Sequence, residues 1–359
     1  MQIPKTMKAV RVHSPHDYRL EELKTPTIGP GEVLIKVLAA GICASDLRTF
    51  HGARVWGSSE LEPYIVTPVT AGHEFIGEVV ALGEGAEDKY KLKIGDHAIS
   101  EQIVPCWKCR FCQSGKYWMC QRHDIYGFIR DRAEGAWAEY MRFPSNALNH
   151  KVPKELAVNQ AVLIEPLACA IHAVQRGDIQ LGDVVVIAGM GPIGLCMLQV
   201  ARLRGPKILV ALDRMPKRLE LARKLGADVA LDVGAVDAVQ EILDMTGQYG
   251  CDVYIEATGA GASVPQGLKM LRRLGTFVEF SVHAEPVSVD WSIVGDVKEL
   301  NIHGSHLGPF CYPLAIEYLL KSKVDGAALV SHSLALDNFL EGLKLSARGE
   351  ESVKIILTP

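Results

Sequence analysis

The chain has 359 residues, of which 48% are hydrophobic, and this is enough apolar material for two domain cores. Its formal net charge of -4 provides no basic surface for a phosphate backbone, which excludes nucleic acid as a partner. The first residues lack an apolar core of signal-peptide length, and no later stretch reaches the ~18 uninterrupted apolar residues of a membrane span. We therefore expect a cytoplasmic protein that has no contact with membranes.

Short strands separated by Gly and Pro turns dominate the chain up to about residue 160. Lys8 to His13 and Glu32 to Ala39 are typical strands, and Gly29-Pro30-Gly31 is a turn. The charged stretch from Glu84 to Lys93 is interpreted as a solvated loop. This pattern predicts an all-β, barrel-like first domain.

From about Asp183 onwards, apolar strands alternate with helical patterns, which is typical of a parallel sheet covered by helices. The predicted strands are 184–188, 208–212, 251–256 and 276–281, and the predicted helices are 193–203, 216–225 and 264–274. A further helix over 312–321 and a short strand over 353–357 close the chain. The sequence thus predicts an α/β protein whose second domain has a doubly wound parallel sheet.

Four cysteines lie close together in the first domain, with two, two and seven residues between them. They are Cys106, Cys109, Cys112 and Cys120. Four thiolates in one loop can form a closed tetrahedral shell, which is typical of a structural zinc site. Disulfides or an iron–sulfur cluster are the alternatives, although the spacing matches neither ferredoxin pattern.

The glycine-rich turn Gly189-Met190-Gly191-Pro192-Ile193-Gly194 follows a predicted strand and opens a helix, as a dinucleotide-binding fingerprint requires. Gly189, Gly191 and Gly194 allow a tight turn, and Pro192 and Ile193 begin a helix whose N–H groups attract a pyrophosphate. Asp213 ends the next strand, where a carboxylate binds the ribose 2′-hydroxyl and repels a 2′-phosphate. These residues predict NAD as cofactor. Arg218 is a further cofactor-binding candidate, and with Arg214 it keeps NADP as an alternative.

Two further motifs suggest a second metal site. They are Gly41-Ile42-Cys43-Ala44-Ser45-Asp46 and Gly72-His73-Glu74. A third motif, Ile164-Glu165-Pro166-Leu167-Ala168, opens a later helix. Together with the four-cysteine loop, these motifs resemble the zinc-containing medium-chain dehydrogenase/reductase family over essentially the whole chain. The Glu-Pro-Leu form of the last motif is similar to that of the sorbitol dehydrogenase branch.

The resemblance implies a role for each residue at the catalytic zinc. Cys43 and His73 are expected as direct ligands, and Glu74 and Glu165 as members of the same metal site. Asp46 is expected to orient the histidine. Ser45 is expected to begin a proton relay, and His51 is a candidate for passing the proton to solvent.

The resemblance also implies the domain organisation. Residues 1–164 and 301–359 are expected to form a GroES-like, barrel-type catalytic domain, and 165–300 a Rossmann domain that binds NAD. Each subunit is expected to hold one catalytic and one structural zinc ion. The family also suggests a homo-oligomer, either a tetramer or a dimer.

The expected reaction is oxidation of a secondary hydroxyl of a polyol, because Glu165 is typical of the polyol branch. The arginine that contacts the polyol in sorbitol dehydrogenases has no counterpart in residues 304–309, where His306 is expected to replace it. His306, Tyr126, Phe128 and Trp56 are expected to line a smaller pocket for a short polyol such as erythritol or threitol. An L-threonine dehydrogenase, a general secondary-alcohol dehydrogenase and a non-catalytic NAD-binding protein are the alternatives.

Overall fold

The computed structural model describes residues 2–52, 64–349 and 352–359. Contacts divide the chain into two compact units. The first comprises the residues up to Glu165, residues 312–322 and the residues from Gly326 onwards, and the second comprises 166–311 and 323–325. Within the described residues, none of the helices is both long and apolar enough to span a membrane.

The first unit begins with eight strands among the described residues. They are β1 (Thr6–Ser14), β2 (Asp17–Lys24), β3 (Val33–Gly41), β4 (Val69–Thr70), β5 (Phe75–Leu82), β6 (His97–Ser100), β7 (Tyr140–Phe143) and β8 (Asn149–Val152). The helices of this part are α1 (Ala44–Phe50), α2 (Ala86–Tyr90), α3 (Arg110–Gln113) and α4 (Val158–Ala161). Helix α5 (Ile164–Arg176) has its first two residues in the first unit and the others in the second. The predicted strand 8–13 is present as β1, which is longer by two residues at its start and by one at its end. The predicted strand 32–39 is present as β3, which begins one residue later and ends two residues later.

The second unit alternates strands and helices. They are β9 (Val184–Ala188), α6 (Pro192–Arg202), β10 (Ile208–Asp213), α7 (Pro216–Lys224), β11 (Val229–Asp232), α8 (Ala238–Met245), β12 (Cys251–Glu256), α9 (Ser263–Met270), β13 (Leu271–Glu279) and β14 (Asn301–Gly304). These strands form one six-stranded parallel sheet in the order β11-β10-β9-β12-β13-β14. This is the strand order of a Rossmann fold with two mononucleotide-binding halves.

The domain boundary expected at residue 301 needs correction. Strand β14 pairs with β13 along the edge of the parallel sheet, so residues 301–311 belong to the second unit. The return to the first unit begins at Tyr312. It contains α10 (Tyr312–Leu320), β15 (Val330–Ala335), α11 (Phe339–Arg348) and β16 (Lys354–Thr358).

The returning strand β16 joins the main sheet of the first unit, whose order is β15-β16-β3-β5-β6-β8, with β7 also paired to β3. Strands β2, β1 and β4 form a separate three-stranded sheet. In the antiparallel register of β16 and β3, Ile356 lies opposite Gly41 and Leu357 opposite Ala40. This register brings the start of β16 to the segment that carries Cys43.

Two local predictions differ from the structure. The charged stretch that was expected to be a loop contains helix α2, which begins after Gly85 and buries Ala86. Residues 271–274 were expected to continue a helix, but they open strand β13, where Leu271 pairs with Cys251. In both cases contacts formed by the folded chain outweigh the local pattern.

Candidate metal centres and active site

The sulfur atoms of the four-cysteine loop lie within 4.8 Å of one another. All nine cysteines of the chain are free thiols, so the disulfide alternative does not hold in this structure. A backbone N–H from Gln121 lowers the pKa of Cys109 to about 6, whereas burial raises the pKa of Cys112 to about 12. A dication bound among the sulfurs stabilises all four as thiolates, and the donor set fits structural zinc.

The second cluster begins at the N-terminus of α1. Cys43 caps this helix, and its backbone N–H donates to Asp46 Oδ2 at 2.8 Å. His73 and Glu74 follow Gly72, whose φ of +94° places it in the left-handed region. One ligand atom from each of Cys43, His73 and Glu74 lies within 4.8 Å of the others. A thiolate, an imidazole and a carboxylate suit zinc.

His73 is oriented by the residues around it. Its Nδ1 lies 3.7 Å from Asp46 Oδ1, and its Nε2 lies 3.4 Å from Ser45 Oγ. Burial lowers the pKa of His73, but the charges of Asp46 and Cys43 outweigh this effect and raise the pKa well above its usual value. Because Asp46 lies on the Nδ1 side, Nε2 is the nitrogen available to a metal.

Glu74 forms a buried ion pair that the sequence analysis did not find. Lys354 Nζ lies 2.7 and 2.6 Å from the two carboxylate oxygens of Glu74, and it also donates to the carbonyl of Ile42 at 3.1 Å. Both side chains are almost completely buried. The pair fixes the carboxylate of Glu74 beside Cys43 and His73 and balances its charge. Lys354 is the first residue of the otherwise mostly apolar strand β16, and a lysine at that position is the signal from which the ion pair could have been predicted.

Glu165 lies in the first turn of α5, buried in the first unit. Its Oε1 accepts a hydrogen bond from the side-chain amide of Gln102 at 2.6 Å, and the hydroxyl of Tyr312 donates to Gln102 Oε1 at 2.6 Å. The charge of Glu165 contributes to the raised pKa of His73. Its carboxylate does not belong to the three-atom group of Cys43, His73 and Glu74.

The residues expected to line the substrate pocket do not all lie near the metal cluster. The ring of Phe128 is 5.5 Å from that of His73 and 4.9 Å from that of Tyr64, so an aromatic surface borders the cluster. Tyr126 is instead a core residue: it is fully buried against Phe75 and donates to Ser100 Oγ at 3.2 Å. Its expected place in the pocket is therefore wrong.

Three other residues were predicted for the proton path or the substrate pocket, namely His51, His306 and Trp56. His51 is exposed at the C-terminal end of α1, with its ring 5.3 Å from that of Phe50. His306 is partly buried and belongs to the second unit rather than to the first. Trp56 lies outside the described residues.

The cofactor motif has the expected strand–turn–helix context. Gly189 has a φ of +94°, and a Cβ there would lie 2.7 Å from the carbonyl oxygen of Ala257, so only glycine fits. Gly191 caps helix α6, and Pro192 is the first residue of that helix. The structure therefore provides a close backbone approach and free helix N–H groups for a pyrophosphate.

Asp213 ends β10 and receives three backbone hydrogen bonds. Oδ2 accepts from Met190 N at 2.7 Å, and Oδ1 accepts from Arg214 N and Met215 N at 2.7 and 2.8 Å. The carboxylate therefore connects the strand end to the glycine-rich turn. Arg218 Nη1 lies 4.0 Å from the position of a Cβ on Gly191, so the guanidinium group faces the same turn.

Comparison with known proteins gives consistent results along the chain. The family described as the alcohol dehydrogenase GroES-like domain matches residues 29–154, and the zinc-binding dehydrogenase family matches residues 192–321. Erythritol/L-threitol dehydrogenase of Mycolicibacterium smegmatis is 49% identical over 359 residues, which cover 100% of this chain and 99% of that protein. Sorbitol dehydrogenase of Halalkalibacterium halodurans is 32% identical, and the match covers 97% of each chain.

A solved structure extends this agreement to the fold. A zinc-binding dehydrogenase from Sinorhizobium meliloti, crystallised with NADP, superposes with a TM-score of 0.90 at 30% identity, covering 99% of this chain and 100% of that one. The chain therefore belongs to the zinc-containing medium-chain dehydrogenase/reductase family and, within it, to the polyol dehydrogenase branch.

Proposed function

We propose that this protein oxidises a secondary hydroxyl of a short polyol to a ketone, with NAD as the hydride acceptor. The observation that carries the proposal is the buried carboxylate of Glu165, which Gln102 holds by a hydrogen bond and whose charge acts on His73. A carboxylate in this position can accept a hydrogen bond from a second hydroxyl of the substrate. The 49% identity to an erythritol/L-threitol dehydrogenase supports the same substrate class.

The residues around Cys43 and His73 fit a catalytic zinc ion. When bound there, zinc supplies Lewis-acid polarisation, which lowers the pKa of an alcohol. The chain's own residues prepare the site: Asp46 orients the imidazole of His73, and the Glu74–Lys354 pair keeps a balanced charge beside it. The ring of Phe128 packs 5.5 Å from the imidazole of His73 and provides an apolar neighbour for it.

Alcohol oxidation releases one hydride from carbon and one proton from oxygen, and the proton needs an exit. Ser45 Oγ lies 3.4 Å from His73 Nε2, and this contact supports a role in which its hydroxyl accepts the substrate proton while it passes its own proton outward. His51 is exposed at the other end of the same helix, where an imidazole can pass a proton to solvent. We assign Ser45 and His51 to the inner and outer ends of this path.

The preference for NAD rests on Asp213. Its carboxylate is held at the end of β10 and at the glycine-rich turn, where a negative charge opposes a 2′-phosphate. Arg214 and Arg218 provide positive charge in the same region, and an arginine there can bind the 2′-phosphate of NADP. Each assay therefore includes NADP beside NAD. The S. meliloti relative was crystallised with NADP.

The test is the reduction of NAD, with NADP in parallel, by the purified zinc-loaded protein. The substrates are erythritol, D- and L-threitol, xylitol, sorbitol, L-threonine and simple secondary alcohols. We expect the highest kcat/KM for a four-carbon polyol with NAD. Turnover confined to L-threonine or to simple alcohols would contradict the polyol assignment, and no turnover with both zinc sites filled would favour a non-catalytic NAD-binding protein.

Other expectations stay predictions. A cytoplasmic location and assembly into a tetramer or a dimer follow only from the sequence and the family resemblance. The role of His306 as a substrate contact also remains a prediction.

A further inference from the structure

A third cluster of metal-ligating side chains belongs to the second unit, whereas the residues of both zinc centres belong to the first. Glu256 is the last residue of β12, Glu279 is the last residue of β13, and the two are paired in the register of these parallel strands. Paired residues of adjacent strands project to the same side of a sheet, so the carboxylates face each other. His283 completes the cluster, and ligand atoms of the three residues lie within 4.8 Å of one another.

The imidazole of His283 lies beside both carboxylates. Among the residues that the structure describes, its Nδ1 is buried and has no hydrogen-bond partner, whereas its Nε2 faces the two carboxylates. Nε2 lies 3.3 Å from Glu279 Oε1 and 4.0 Å from Glu256 Oε2. The contact with Glu279 has the spacing of neighbouring ligands, since atoms bound at about 2.0–2.1 Å to one tetrahedral ion are about 3.3–3.4 Å apart, and the contact with Glu256 is longer.

The two carboxylates also accept backbone hydrogen bonds. Glu256 Oε1 accepts the N–H of Thr258 at 2.8 Å and Oε2 accepts the N–H of Gly259 at 3.3 Å, and Glu279 Oε1 accepts the N–H of Ser281 at 3.0 Å. Within the described part of the chain, no lysine or arginine forms an ion pair with either carboxylate, and the imidazole of His283 faces both. A dication bound between the two carboxylates would balance their charge.

We propose that Glu256, Glu279 and His283 form a third metal site, which binds a divalent transition-metal ion such as Zn²⁺ or Mn²⁺. One imidazole nitrogen and two carboxylate oxygens are the ligands that these ions accept in proteins. Three protein ligands leave at least one coordination position for water.

The site is connected to the cofactor loop through the turn that follows β12. The carbonyl oxygen of Ala257 and the methyl group of Thr258 lie 2.7 and 3.0 Å from the position of a Cβ on Gly189. Thr258 also donates its backbone N–H to Glu256. An ion held by Glu256 therefore rigidifies the turn against which the dinucleotide-binding loop packs, and it should raise the affinity for NAD.

The experiment is a metal-binding titration of the full-length, zinc-loaded protein with Zn²⁺ and with Mn²⁺. Equilibrium dialysis and metal analysis give the stoichiometry, and the electron paramagnetic resonance signal of free Mn²⁺ reports its binding. The variants are His283→Asn and Glu279→Gln, which spare the fully buried Glu256. His303→Asn is the matched control, because His303 lies on neighbouring β14 and contacts Arg176 instead.

We expect the wild type and His303→Asn to bind one equivalent more than His283→Asn and Glu279→Gln. The affinity for NAD, measured by calorimetry, should rise with the added ion only in the first two proteins. The proposal is overturned if the wild type binds no additional ion, or if both site variants keep it.

Discussion

Replacement of Lys354 by methionine tests the buried ion pair beside the proposed catalytic zinc. Lys354 and Glu74 have side-chain exposures of only 2% and 1%, and the two contacts between them are 2.7 and 2.6 Å long. Methionine keeps most of the side-chain volume but leaves the carboxylate of Glu74 buried without its partner. Removing one member of a buried pair costs about 3–5 kcal/mol, so we expect Lys354→Met to lower the free energy of unfolding by this amount.

The assay is urea unfolding of zinc-loaded protein, followed by circular dichroism. The double variant Glu74→Gln/Lys354→Met should recover a large part of the loss, because no unpaired charge remains. Lys8→Met is the matched control, since Lys8 pairs with Asp337 at the surface with about half of each side chain exposed. We expect no measurable change for the control. Equal unfolding curves for Lys354→Met and the wild type, or a double variant less stable than the single one, would refute the reasoning.

Three further predictions concern the other sites. Cys112→Ser should release one zinc ion per chain in metal analysis, whereas Cys196→Ser, at a buried cysteine outside the loop, should release none. Asp213→Asn should reduce the ratio of kcat/KM for NAD to that for NADP by about tenfold, or about 1.4 kcal/mol, and an unchanged ratio would show that the carboxylate does not select the cofactor. Glu165→Gln should lower kcat/KM for polyols by about tenfold or more, because a hydrogen bond to a charged group contributes about 1.5–3 kcal/mol. Simple secondary alcohols should be nearly unaffected by this change, and an equal loss for both substrate classes would contradict a contact between Glu165 and the polyol.

The features that the sequence predicted best depend on local patterns. The four cysteines share one loop, so their spacing alone indicates a common ligand. Gly189 and Asp213 occupy positions that the Rossmann fold fixes within a single βαβ unit, and strand β9 has the predicted bounds. In these cases the residues that act together are close in the chain.

The features that the sequence did not predict depend on distant contacts. Lys354 reaches Glu74 only because β16 pairs with β3, and Tyr312 reaches Gln102 only because the chain returns to the first unit. The substrate role of Tyr126 failed for a related reason. Its local sequence, between Ile125 and Gly127, gave no sign that the fold packs its ring against Phe75, which is distant in the chain.

The central claim is that the site of Cys43 and His73 oxidises a short polyol with NAD. The most direct test is the turnover of L-threitol or erythritol by Cys43→Ser, with the metal content of the same sample measured. We predict that the variant holds one zinc ion fewer than the wild type, keeps the zinc of the four-cysteine loop and loses nearly all turnover. A variant that lacks this zinc ion but oxidises the polyol at the wild-type rate would contradict the account.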